Sequence, residues 1–162
     1  MIKHVLGLLA VLIATVAAAT LVPAHEYKLA GIEIGHPWSR PTPPAATIGV
    51  GYLTLKNVGT SDDRLIAAAS TAAERVELHA SVMKGDVMTM RPVPSIELQA
   101  GRSVTLEPGG MHLMLIGLKK PLKDGMRVPT TLTFERAGSI AVELAVETGK
   151  DSGDHREMKH NH

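Results

Sequence analysis

The chain has 162 residues, with 17 Lys plus Arg against 16 Asp plus Glu, a formal net charge of +1 and no cysteine. That balance provides no strong field to steer the protein onto nucleic acid or an anionic membrane, and thiolate metal sites and disulfides are excluded. With Trp38, Tyr27, Tyr52 and Phe134 as the whole aromatic set, the core has to come from Val, Leu, Ile, Ala and Met. A single domain of this size buries about two-thirds of its unfolded surface without covalent staples.

Residues 1–24 have the features of an export signal: Lys3 is followed by the uncharged apolar run from Val5 to Ala19, and Val22-Pro23-Ala24 suits a cleavage site. Cleavage after Ala24 would leave His25 at the mature terminus, with 16 positive and 16 negative side chains, and would place the protein outside the cytoplasm. The alternative is an uncleaved anchor, because the 20 uncharged residues from Val5 to Ala24 nearly span a bilayer.

From there the pattern is that of strands. Leu29 to Ile34 is a short apolar segment, and His36-Pro37-Trp38-Ser39-Arg40 with Pro41, Pro43 and Pro44 reads as a stiff irregular loop. Ile48 to Lys56 forms a strand, Asn57 to Asp63 a turn, and Arg64 to Ala69 the next strand. Val76, Leu78, Ala80 and Val82 alternate with Glu77, His79, Ser81 and Met83, which puts His79 on the face away from the core. Lys84-Gly85-Asp86 turns the chain into a short strand on which Met88 and Met90 share a face, and Pro92 and Pro94 end it. Gly101 to Leu106 follows. Glu107-Pro108-Gly109-Gly110 then makes a tight turn before a strand on which His112 and Met114 project together, opposite Met111, Leu113 and Leu115. After the polar turn Lys119 to Asp124, Val128 to Phe134 and Ile140 to Val146 make a final hairpin. Many short strands and no helical period predict an all-β domain over residues 25–148, a single Greek-key sandwich or barrel of antiparallel sheet. Residues 149–162 form a polar tail, expected to be disordered.

His79, Met90, His112 and Met114 are separated by ten, twenty-one and one residues. Two imidazoles with two neutral thioethers form a soft donor set that suits Cu(I) better than zinc, calcium or magnesium. Thioethers need no deprotonation, so Met90 and Met114 keep binding in mildly acidic surroundings. Met88 shares a face with Met90 and is a spare ligand or a rim residue; Met83 is equally open. Met111 and Met126 read as core gap-fillers, and His36 as a structural residue of a packed loop. His25 would offer Cu(II) an amine and an imidazole if the signal is cut, or merely fray. In the tail His155, Met158, His160 and His162 could hold a second copper, or simply be solvated.

This spacing resembles the metal motif of the periplasmic copper chaperones called PCu(A)C. The resemblance includes His36-Pro37-Trp38, Gly49-Val50-Gly51-Tyr52-Leu53 and Pro108-Gly109-Gly110-Met111-His112-Leu113-Met114, and it runs from about Glu26 to Thr148. It implies a cupredoxin-like fold and a chaperone, not an enzyme, that carries Cu(I) for assembly of the copper site of cytochrome c oxidase. The implied acceptor is cytochrome c oxidase subunit II or a Sco-type thiol protein. Some members carry a methionine directly after the first histidine; here that position is Ala80.

Other classes stand beside this one. A blue-copper electron carrier needs the cysteine that is absent. A copper enzyme would use His25 as a terminal chelate, yet no acid, base or pocket is evident, and no nucleophile motif accompanies the Ser and Asp residues. A metal-free structural or adhesion-type periplasmic sandwich is the main alternative without copper.

Overall fold

The computed structural model describes residues 26–148. The expected export signal, His25 and the tail with His155, Met158, His160 and His162 lie outside the described residues. Within them every regular element is a strand: β1 (Tyr27–Leu29), β2 (Ile32–Ser39), β3 (Ile48–Asn57), β4 (Asp63–Ser70), β5 (Ala73–Lys84), β6 (Val87–Pro92), β7 (Ile96–Leu98), β8 (Ser103–Leu106), β9 (Met111–Leu118), β10 (Arg127–Phe134) and β11 (Gly138–Val146).

Seven of these close on themselves in the order β2-β11-β10-β4-β5-β9-β3, because β3 pairs with both β9 and β2. Closure of this cupredoxin-like barrel leaves no free edge in the main sheet. The short strands β1, β6, β7 and β8 add to β2, β5, β4 and β3 respectively. Alternation fills the inside: Leu53, Leu55, Leu113, Leu115, Leu132 and Leu144 are fully buried, each worth about 1.5–3 kcal/mol of burial. Gly51 allows this density where β3 crosses the interior. A Cβ there would stand 2.9 Å from Leu144 Cδ1 and 3.3 Å from Leu113 Cβ.

Polar side chains secure the loops at one end. Asp63 accepts from the backbone N–H groups of Arg64, Arg136 and Ala137 at 2.8, 2.9 and 2.9 Å. Asn57 donates to the carbonyls of Ser61 and Leu98, both at 2.9 Å. These contacts satisfy backbone groups that the turns take out of the sheet.

Several sequence expectations change. Leu29 to Ile34 is not one segment but a hairpin, turned at Ala30 (φ 43°) and Gly31 (φ 85°), the positive-φ pair that suits the twist of a two-residue turn. His36-Pro37-Trp38 is not a loop; β2 runs through it with a bulge that shifts the β2–β3 register between Gly35 and Trp38. His36 takes the strain at φ 43°, and proline is tolerated because a bulge relieves it of a ladder bond. The bulge also flips the alternation, so Ile34 points inward before it and Trp38 outward after it, against Tyr52 at 4.7 Å. β11 pairs with β2 in parallel, so the sheet is not wholly antiparallel. β7 was not expected. Met111 packs against the core as expected, whereas Met126 is exposed and receives the Lys123 N–H at 3.2 Å.

Candidate metal centre

The register of β5 against β9 brings the two histidines together. His79 stands directly opposite His112, and Glu77 opposite Met114. The inward neighbours Leu78 and Leu113 are the next pair, so burial of those leucines fixes which face the histidines take. The rings lie with centroids 5.7 Å apart at 43°. Though on the outer face, both residues are shielded, with 7% and 2% of their surface exposed.

Each ring has one nitrogen committed. His112 Nδ1 lies 3.1 Å from the Gly110 carbonyl, which can only accept, so Nδ1 carries the hydrogen and Nε2 presents its lone pair. His79 Nε2 lies 2.9 Å from Glu77 Oε2, so in that ring Nδ1 presents the lone pair. These two nitrogens, His79 Nδ1 and His112 Nε2, are buried without a hydrogen-bond partner among the described residues. Hydrogen bonds from His79 and then from Arg75 hold the Glu77 carboxyl below its ordinary value, and Arg75 Nε donates to its other oxygen at 2.9 Å. A carboxylate and a backbone carbonyl behind two imidazoles are the partners that orient histidine ligands and set their tautomer.

The thioethers flank the pair. Met114 is half-buried on the His112 face, two residues along β9. Met90 is opposite Ser81 on the β5–β6 ladder, on the same outer face as His79, and its side chain is 56% exposed. Register thus places all four sequence-chosen residues on one face, two shielded and one open to solvent. Met88 lies opposite Met83 one step further out. His36 is elsewhere, stacked 6.1 Å from Trp38 with Nε2 3.5 Å from a Glu147 oxygen.

Glu77 and the Gly110 carbonyl were missed by sequence reasoning. Period-two alternation already put Glu77 on the His79 face, a usable signal; nothing in the sequence marks the carbonyl. Among the described residues, no three His, Cys, Asp or Glu side chains gather to hold a metal.

Known proteins show the same fold. The copper-bound PCuAC domain of PmoF2 is 31% identical, covers 77% of this chain and 99% of its own length, and superposes with a TM-score of 0.66. The CuI form of DR1885 from Deinococcus radiodurans is 29% identical over 82% of this chain and 87% of its own, with a TM-score of 0.55. The Leifsonia xyli subsp. xyli (strain CTCB07) protein named "Putative lipoprotein Lxx21020" is 30% identical over 143 residues, 85% of either chain. The LpqE-like family model matches residues 32–146. By that match and that relative, the chain belongs to the LpqE-like family, and its barrel is of the PCuAC type.

Proposed function

We propose that this protein is a copper chaperone that binds Cu(I) through His79 Nδ1, His112 Nε2, Met90 and Met114 and surrenders it to an acceptor. The observation that carries the reading is the pair of shielded imidazole nitrogens whose tautomers are set by Glu77 and Gly110 and which lack partners of their own. Each such group costs roughly 1–3 kcal/mol if left unsatisfied, a cost that a metal-free adhesion sandwich would carry for no return. A soft monovalent ion offsets it. Copper-bound and CuI relatives of this fold support the choice of ion.

Ligand exposure suits a carrier. Shielded histidines protect the ion from water, while Met90 stands open on one side, so the bound ion can be approached by stronger thiolate ligands from solvent. The acceptor in this reading is a thiol-bearing copper protein, such as cytochrome c oxidase subunit II or a Sco-type protein. Export to the periplasm agrees with the apolar leader and with the lipoprotein name of the Leifsonia relative.

The test is Cu(I) competition against a chromophoric chelator, with His79→Ala, Met90→Leu, His112→Ala and Met114→Leu made singly and residues 149–162 deleted. One tight equivalent, weakened by each substitution and kept without the tail, is expected. Weak binding indifferent to all four would overturn the reading.

A further inference from the structure

The β5–β6 hairpin exposes an unusual surface. All six residues of β6 are exposed, and the large apolar side chains left in water include Met83 at 59%, Met88 at 52% and Met90 at 56%. Polar residues would serve such a protruding hairpin better, and apolar ones there invite association. Thioethers, unlike leucines, are also soft ligands.

Their placement is ordered. Met83 is directly opposite Met88, Ser81 opposite Met90, and His79 opposite Pro92 on one side and His112 on the other. Alternation puts Met83, Ser81 and His79 on one face of β5, with Met88 and Met90 on the same face of β6. The three rungs run from the hairpin tip to the histidine pair, spaced about 7 Å apart. Directly opposed residues have Cβ atoms about 4.5–5.5 Å apart. Two flexible methionine side chains can therefore close on one ion, and Met90 on the middle rung can reach toward either side.

We propose that Met83 and Met88, sharing Met90, form a second and weaker thioether station for Cu(I) at the hairpin tip. Through it the ion reaches and leaves the His79–His112 site. The inference rests on the copper reading of that site. With no imidazole, the outer station binds less tightly than the inner one. Transfer between them is ligand exchange at constant oxidation state: Met90 stays bound while Met83 and Met88 are replaced by His79, His112 and Met114.

The experiment is a titration of the purified full-length protein, labelled at its methionine methyl groups with 13C, with Ag(I) as a redox-inert mimic and then Cu(I). The first equivalent should move the Met90 and Met114 methyls, and the second those of Met83 and Met88. In Met83→Leu/Met88→Leu, which keeps volume at exposed positions, thermal unfolding and first-equivalent affinity should stay within about twofold of wild type. Loss of copper to a thiol chelator should slow at least fivefold. Silent Met83 and Met88 methyls through three equivalents, or a second equivalent felt by Met158 alone, would overturn the outer station. An unchanged transfer rate in the double variant would overturn its role in passage. A first equivalent that leaves Met90 and Met114 unmoved would instead sink the inner-site reading.

Discussion

Glu77 Oε2 stands 2.9 Å from His79 Nε2, and this contact decides which nitrogen of His79 keeps its lone pair. Removing it should loosen the ring without unfolding the barrel, because Glu77 is only half-buried and contributes nothing to the core. Glu77→Ala is expected to weaken Cu(I) binding about 10- to 100-fold, the usual effect of losing a ligand's hydrogen-bonded partner. Chelator competition measures the affinity, and an unchanged unfolding midpoint separates it from a folding defect. Equal affinity in the variant would show that Glu77 has no hand in the site.

Met111 and Met114 stand on opposite faces of β9, one packed on the core and one beside His112. Met114→Leu keeps bulk and apolarity and removes sulfur, so stability should change by less than about 1.5 kcal/mol while Cu(I) binding falls at least tenfold. Met111→Leu should leave binding within about twofold. If both variants bind like wild type, Met114 is not a ligand.

Asp63 is expected to contribute to stability against acid. Burial pushes its carboxyl up, but backbone N–H groups of Arg136, Arg64 and Ala137, with the Arg136 charge, outweigh this and hold it below the ordinary value. With the folded-state pKa depressed, its contribution is fully present above the unfolded value of about 3.9 and disappears as pH falls through the folded one. Asp63→Asn should be less stable at pH 7 yet show a shallower loss between pH 5 and pH 2 than wild type. Urea midpoints across that range test this, and parallel curves would remove Asp63 from the account.

Gly51 sits where β3 passes between Leu113 and Leu144. Gly51→Val should cost about 1–3 kcal/mol through overpacking. By displacing Leu113 it should also shift the neighbouring His112 and Met114 and lower copper affinity. A thermal midpoint equal to wild type would mean that the barrel relaxes there freely.

The sequence by itself determined the kind of element, most of the strand positions and which soft side chains the chain has to offer. Those features are local: alternation along Val76 to Met83 or Ile140 to Val146 says which side chains can be buried, and turn residues such as Gly85 and Gly110 say where the chain reverses. Only the tertiary structure decided how the strands face each other. His79 meets His112 because Leu78 meets Leu113 inside the barrel, a register set by packing between residues distant in sequence. The same long-range constraints give the parallel β11–β2 contact that helps close the barrel and the bulge that carries His36 and Pro37 within β2. They also leave Met126 outside the core. Which imidazole nitrogens are left without a hydrogen-bond partner depended on a side-chain carboxylate and a backbone carbonyl placed by the fold. No periodicity encodes that choice, because hydrogen bonding selects a tautomer only once the partners are held within about 3 Å.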